Sequence, residues 1–440
     1  MPCTVALIAL GCPKNLINSE QMLALLETAG FTLVSDPDGA DAVVVNTCGF
    51  IEDAKTEAIA VILEMAALKE ANRLQRIVVT GCLAERYQDE IFAELPEVDA
   101  ILGVGSFGDI AEAVAAVLRG ECFCRFGDKN APVDEGPRIV TTGPGWAYLR
   151  VAEGCSNRCA FCVIPSIRGR YRSRPMENIV AEAEILAAGG VKELILVAQD
   201  VTRYGTDLYG EKRLAALLRR PAAIDGVAWL RLHYLYPDAF DDEIIDLIAA
   251  EPKIIKYLDI PIQHINDGIL RRMHRRGSGG DIRALFRALR ARIPGLVLRT
   301  SLITGLPGED EAAFEELCEF LREARIERAG VFPYSPEEGT PAAGMPDRCD
   351  EEEARRRAAL VMELQAEVMD DWNEARVGET LPVLCEGYDE ARGCQWGRSA
   401  ADSPDIDGRV FFDGEAVPGQ LVAVRVTATD GGDLIGHAHP

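Results

Sequence analysis

The chain has 440 residues, 48% of them hydrophobic and 27% charged, which suits two or three ordinary globular domains. Its net charge of −25, from 46 basic against 71 acidic residues, argues against a broad nucleic-acid footprint, because such binding rests on neutralising phosphates, and favours a basic protein partner. No apolar run approaches the ~20 residues of a membrane span, and 13 cysteines without a secretion signal point to a reducing cytoplasm and to metal ligation rather than disulfides.

Residues 1–140 alternate short apolar runs with helical patterns, as a parallel α/β layer does. The first run, VALIAL, is too short for the apolar stretch of a lipoprotein signal and has no basic segment before it, so it reads as a strand. A helix through NSEQMLALLETAGF follows. DAVVVNT then leads into GFIEDAKTEAIAVILEMAALK, and QRIVVTG into LAERYQDEIFAEL. Each strand ends in a cysteine: Cys12 in GCPKN, Cys48 in NTCGF and Cys82 in GCLAE. Parallel sheets gather ligands at the carboxyl ends of their strands. Three thiols 36 and 34 residues apart are therefore predicted to converge, against the plainer alternative of buried cysteines acting as small hydrophobes. Gly103, Gly105 and Gly108 match G-x-G-x-x-G, with Asp128 downstream, but the motif closes the region instead of opening a strand–helix–strand unit. These glycines are expected to shape the turn before DIAEAVAAVLRG.

Residues 141–372 repeat strand and helix six times, with strands at AYLRVAE, ELILVAQ, AWLRLHYLY, YLDIPIQ, LVLRTSLITG and RAGVFPYS. Six such units predict a partial TIM-like barrel, open on one side, with its chemistry at the carboxyl ends of the strands. After the first strand, Cys155, Cys159 and Cys162 form C-x3-C-x2-C in EGCSNRCAFCVIPSIRG. Three thiolates can hold three corners of a 4Fe-4S cube that normally takes four. The fourth iron is then open to a chelating molecule, and S-adenosyl-L-methionine offers an amino and a carboxylate group. A zinc knuckle would want four ligands, usually as two pairs. By the same count, Cys12, Cys48 and Cys82 imply a second open cluster. Arg168, Arg170, Arg172 and Arg174 follow with period-2 spacing, which on an extended segment places all four on one face, either an anion-facing rim or a solvated surface. His264 in PIQHI either lines the cavity or is a hydrogen-bonded structural histidine. The region closes with a helix offering Glu351–Arg355, Glu352–Arg356 and Glu353–Arg357 as i,i+4 pairs.

Residues 373–440 change to strand-like runs, TLPVLCEGY, CQWGRSA, GRVFFDG and QLVAVRVTAT, separated by Gly, Asp and Pro turns, which suggests a small β-barrel of about five strands. Residues 376–440 hold five arginines, no lysine and eleven acids, a net charge of −6, so a barrel of a kind that often binds RNA should here repel phosphates. His437 and His439 imitate a metal pair, but their position predicts a frayed tail. The other seven cysteines show no ligand pattern.

In the order of its parts, and in GCPKNLINSE, NTCGFI, EGCSNRCAFCVIPSIRG, YLDIPIQHI, TGLPGE and RSAADSPDIDG, the chain resembles the methylthiotransferase family of radical S-adenosylmethionine enzymes over essentially its whole length. The resemblance implies an α/β protein with three domains. These are an N-terminal parallel α/β methylthiotransferase domain (1–140), a partial (β/α)6 TIM-like radical barrel (141–372) and a small all-β, OB-like TRAM barrel (373–440). It implies two 4Fe-4S clusters, an auxiliary one on Cys12, Cys48 and Cys82 and a radical one on Cys155, Cys159 and Cys162, with S-adenosyl-L-methionine as the second cofactor. Phe161 and the TGLPGE loop, at Thr304 and Gly305, are expected to border that cofactor; no catalytic side chain is assigned. Ala198-Gln199-Asp200 stands where many radical enzymes carry Gly-Gly-Glu, which leaves the methionine contacts open. GCPKN and the acidic DSPDIDG are most similar to the branch that methylthiolates the β-carbon of an aspartate in ribosomal protein S-twelve. The expected partners are that protein, free or in the small subunit, and a donor such as flavodoxin or ferredoxin. The branch that modifies tRNA adenosine is the alternative, disfavoured by the acidic barrel. A non-catalytic iron–sulfur sensor would have no use for six βα units.

Overall fold

The computed structural model describes residues 3–439. Two compact units emerge, and they do not follow chain order. The first takes the chain up to Thr141 together with Ala152–Arg174 and Ser335–Ala343; the second takes Thr142–Val151, Pro175–Tyr334 and the chain from Gly344 onward.

The first unit is built on a parallel six-stranded sheet of β1 (Thr4–Ala9), β2 (Thr32–Val34), β3 (Ala42–Thr47), β4 (Arg76–Gly81), β5 (Ala100–Leu102) and β6 (Phe123–Arg125), in the order β2-β1-β3-β4-β5-β6. The central strands β3 and β4 carry unbroken apolar runs, Ala42 to Val45 and Ile77 to Val79, because helices cover both faces. Val43, Val45, Ile77 and Val79 pack against Ile62 and Met65 of helix Glu52–Glu70. Ala42, Val44 and Val78 pack on the other face, against Met22 and Leu26 of helix Pro13–Thr28 and Val114 of helix Ile110–Leu118. Each buried Val or Ile of this layer stabilises the fold by about 1.5–3 kcal/mol over its exposed state. The short strands β2, β5 and β6, three residues each, lie outside the three strands legible in the sequence. The glycine motif does shape turns: a Cβ on Gly103 would meet the Glu85 carboxylate at 2.3 Å, and one on Gly105 the Gly127 carbonyl at 2.7 Å.

The second unit opens with β7 (Trp146–Arg150); the chain then returns to the first unit, where β8 (Ala152–Glu153) pairs antiparallel with β9 (Arg172–Ser173). Next come β10 (Glu193–Val197), β11 (Trp229–Leu232), β12 (Ile254–Asp259), β13 (Val297–Thr304) and β14 (Arg328–Pro333), which pair in sequence with β7 at one edge and β14 at the other. Six parallel strands in consecutive order, with the two edge strands unpaired to each other, form the open barrel expected of six βα units. The final strands β15 (Thr380–Asp389), β16 (Cys394–Ser399), β17 (Val410–Asp413), β18 (Leu421–Asp430) and β19 (Asp433–His439) close into a barrel around Val383, Phe412, Val424 and Val426. His437 and His439 therefore do not fray: they sit in β19, opposite Arg425 and Ala423. The longest apolar run of that strand is Leu434-Ile435, set among an aspartate, a glycine and two histidines, which hid it from the pattern. On helix Glu351–Glu374, Arg355 reaches Glu351 and Arg357 reaches Glu353 as expected, whereas Arg356 turns to Glu353 at 2.7 Å rather than to Glu352. Among the described residues no helix is long and apolar enough to cross a membrane.

Candidate metal centres

The register of the first sheet brings the three dispersed cysteines together. Ala9 of β1 stands opposite Asn46 of β3, and Thr47 of β3 opposite Gly81 of β4, so three adjacent strands end level. Cys48 and Cys82 are the next residues after β3 and β4, and Cys12 is the third residue after β1, beyond Leu10 and Gly11. Close approach is built in at Gly11: its φ is +88° and a Cβ there would lie 2.7 Å from that of Cys48 and 3.0 Å from its Sγ. Two buried asparagines lock the turns. Asn15 Nδ2 donates to the carbonyls of Leu10 (2.7 Å), Asn46 (3.3 Å) and Thr47 (3.3 Å), while Asn46 Nδ2 donates to the Asn15 carbonyl (2.9 Å) and Ser19 Oγ (2.7 Å). The asparagines of GCPKN and NTC are thus the staples of the cysteine turns, a role that the motif spelling alone did not disclose.

The electrostatics suit a cationic cluster. Burial, reinforced by the neighbouring sulfurs of Cys82 and Cys12, pushes the Cys48 thiol up to about 12. Burial also raises Cys82, despite the Arg168 charge beside it. At Cys12 burial is outweighed by the charges of Lys14 and Arg168 and by backbone N–H groups, and the thiol is lowered. Three thiolates packed together repel, so their joint ionisation calls for positive charge between them, which is what a metal cluster provides. Among the described residues no three His, Cys, Asp or Glu side chains are gathered to hold a single metal ion. A cubane asks for something else, one thiolate at each of separate irons.

The second trio lies in the loop between β8 and β9. Gly154 has φ +78°, and a Cβ there would stand 2.1 Å from the Arg170 carbonyl, so the loop neck closes only around glycine. Cys155 N–H donates to the Gly169 carbonyl (3.1 Å), Tyr171 N–H to Ser156 Oγ (3.2 Å) and Cys162 N–H to the Cys159 carbonyl (3.0 Å). None of the thirteen cysteines forms a disulfide. Phe161 is half-buried beside Cys162. Segment Ser335–Ala343 crosses both cysteine regions of this unit. Ala342 N–H bonds the carbonyl of Ala160, and Glu337, 2% exposed, takes Arg86 at 2.6 Å and Lys55 at 3.2 Å, while Arg86 also donates to the carbonyl of Gly49, next to Cys48.

The arginine row is neither a rim nor a solvated face. Arg168, Arg172 and Arg174 are buried and only Arg170 is exposed. The strict alternation fails because Arg168 ends a short helix, Ile164–Arg168, instead of starting a strand. Its Nε–H points to Cys82 Sγ at 3.3 Å, Nη1 to Glu153 at 3.1 Å and Nη2 to Asn15 Oδ1 at 3.1 Å. Arg172 donates to the carbonyls of Arg168 and Arg170, and Arg174 pairs with Glu135 at 2.9 Å.

In the second unit, His264 is fully buried. Asn266 N–H donates to its Nδ1 at 3.0 Å, which leaves the proton on Nε2, 3.4 Å from Glu309. The structural alternative for His264 is the one realised. Burial alone would raise Glu309, but His264, the Gly305 N–H and Arg357 together lower it. Thr304 Oγ1 donates to the Ala354 carbonyl at 2.8 Å, and a Cβ on Gly305, whose φ is +76°, would lie 2.5 Å from the Ala354 Cβ. The acidic RSAADSPDIDG segment also turns inward. Asp402 takes Arg328 at 2.9 Å, Asp407 takes the Tyr257 hydroxyl at 2.6 Å, Ser403 meets His233 at 2.9 Å, and Arg398 reaches Glu193 at 2.7 Å. Asp402 and Asp407 thus answer side chains of the large barrel, and only Asp405 of the segment's acids is exposed.

A cysteine-rich C-x3-C-x2-C loop after the first strand of an open parallel barrel defines a radical S-adenosylmethionine, iron–sulfur enzyme, and the family model for the radical SAM superfamily matches residues 149–321. Two further models flank it: Uncharacterized protein family UPF0004 over 4–103 and the TRAM domain over 377–438. Relatives called ribosomal protein uS12 methylthiotransferase RimO include those of Trichlorobacter lovleyi (48% identical, covering 98% of this chain and 97% of that one) and Lachnoclostridium phytofermentans (49%, 98% and 99%). The chain belongs to the RimO family of methylthiotransferases. Among solved structures, the radical methyltransferase TsrM from Kitasatospora setae, with cobalamin and a 4Fe-4S cluster bound, superposes with a TM-score of 0.53 at 16% identity over 78% of this chain and 74% of that one. At that identity it reports on the fold alone.

Proposed function

We propose that this protein inserts a methylthio group at the β-carbon of an aspartate of ribosomal protein uS12. The observation that carries the reading is the level ending of β1, β3 and β4, which gathers Cys12, Cys48 and Cys82 in the same compact unit as Cys155, Cys159 and Cys162. A β-carbon next to an ionised carboxylate is a poor site for proton abstraction, since the carbanion would form beside a negative charge. Radical chemistry avoids that barrier. When bound, a cluster on Cys155, Cys159 and Cys162 with S-adenosylmethionine supplies a hydrogen-abstracting 5′-deoxyadenosyl radical, and one on Cys12, Cys48 and Cys82 an iron site for the sulfur.

The chain's own residues supply the framework. Gly11 and the asparagine staples hold the auxiliary thiols, and the Gly154 neck holds the radical loop. Phe161, Thr304 and Gly305 are assigned to the cofactor's surroundings on their sequence pattern, the last two through the turn they shape. The three functional regions are 1–140, 141–372 and 373–440. The electron donor is a flavodoxin or ferredoxin, and the setting is the cytoplasm.

Anaerobic reconstitution should yield about eight irons per chain, two cubes of four. Mass spectrometry of uS12 from cells with and without the gene should show one methylthio increment, mapped to an aspartate, only in the former. Unmodified uS12, or the increment on tRNA instead, would overturn the assignment.

A further inference from the structure

Arg168 belongs to the radical-cluster loop by sequence, six residues beyond Cys162, yet its donors reach the other cysteine trio. The side chain is 2% exposed. Its planar fork touches three motifs at once: Cys82 through Nε, Asn15 of GCPKN through Nη2, and Glu153, two residues before Cys155, through Nη1. The neighbouring buried arginines give their donors to oxygen, Arg174 to the Glu135 carboxylate and Arg172 to the carbonyls of Arg168 and Arg170. Here one edge is given to a carboxylate and the Nε–H to a sulfur. The fork cannot rotate without losing all three contacts, so the N–H···S contact is held in place by the other two.

We infer that Arg168 is a positioning residue that sets the reduction potential of the cluster on Cys12, Cys48 and Cys82, through its hydrogen bond to Cys82 Sγ. The inference rests on the two-cluster reading above. Hydrogen bonds to cluster sulfurs are among the factors that fix the potential. A donor draws electron density from the thiolate and favours the reduced, more negative cluster, so the bond raises the potential and its loss lowers it. The same residue makes the cysteine turns of the auxiliary trio and the neck of the radical loop one hydrogen-bonded body, through Asn15 and Glu153.

The test uses the full chain with Cys155, Cys159 and Cys162 replaced by alanine, so that only the auxiliary cluster is loaded, and follows its reduction by EPR-monitored titration. Arg168→Met should shift the midpoint to more negative potential, and Arg168→Lys, which keeps the charge but not the fork, by a smaller step in the same direction. In the converse protein, lacking Cys12, Cys48 and Cys82, Arg168→Met should move the radical cluster less. An unmoved auxiliary midpoint in Arg168→Met, or equal shifts of both clusters, overturns the inference; if the methionine variant does not fold, an unmoved midpoint in Arg168→Lys does so. A parent protein that takes up no auxiliary iron sinks the two-cluster reading itself, and is told apart because it fails before Arg168 is changed.

Discussion

Two regions bury charge, and they solve the problem differently. In the second unit, Glu193 lies at 0% exposure between Arg231 (2.6 Å) and Arg398 (2.7 Å), with Glu386 on the far side of Arg398. Asp259 and Asp407 flank Arg299, and Asp402 takes Arg328. Each cation there meets a carboxylate of the chain itself. At the strand ends of the first unit, one arginine and one lysine lower Cys12, while the sulfur of Cys12 helps raise both Cys48 and Cys82. Side chains alone leave that group short of positive charge. A region whose charges close within the chain is architecture, whereas one whose charges close only with something bound is a binding site.

The sharpest way to break this contrast is to remove one member from each region. Cys48→Ala changes a buried thiol to a small apolar group, so the fold should persist while iron falls from about eight to about four per chain and methylthio transfer is lost. Iron analysis and the uS12 mass increment read both. Glu193→Gln should do the reverse. It leaves Arg231 and Arg398 without their shared anion, at a cost of about 3–5 kcal/mol in unfolding free energy, while iron per folded chain stays at the parent value. If Glu193→Gln leaves the denaturation midpoint unmoved, the network is not what ties β10 and β11 to the C-terminal barrel.

The same contrast explains what the sequence made legible. Cys12, Cys48 and Cys82 could be foreseen because strand-end position is a topological property, readable from apolar runs and the rule that parallel sheets bind at their carboxyl edge. The six-stranded open barrel was legible for the same reason, one period per βα unit. The inward turn of Asp402 and Asp407 was not, because an acidic loop rich in Ser and Pro looks solvated until its distant partners Arg328 and Tyr257 are known. Arg168 was misplaced by a local error: a period of two was read through a segment that begins as a helical turn. Nor could GCPKN announce that Asn15 spends its amide on three carbonyls from two strands' turns.

A smaller effect sharpens the comparison through pH. Glu309 is lowered from 4.5 by His264, the Gly305 N–H and Arg357 acting against burial. A carboxylate whose folded value is depressed adds stability that is present above about pH 4.5 and is lost as pH falls through the depressed value. The parent's resistance to denaturation should therefore fall across that acid window, and Glu309→Gln, which cannot titrate, should be less stable than the parent at pH 7 and close to it at the acid end. A constant difference at both pH values would show that the carboxylate's charge is not what His264 and Arg357 hold.

The least effect is expected where an ion pair is exposed. Arg355 and Glu351 form an i,i+4 pair on helix Glu351–Glu374 with side chains 64% and 69% exposed. Solvent screens such a pair and the two long side chains lose rotamer freedom in making it, so its net contribution is close to nil. Arg355→Ala should leave the denaturation midpoint within measurement error at 0.15 M salt. Two positions along the same helix, Arg357 is 7% exposed and bridges Glu309, Glu311 and Glu353, and Arg357→Ala should lower that midpoint clearly. If the two substitutions cost the same, burial is not what separates a structural charge from a solvated one, and the distinction drawn between the two regions loses its physical ground.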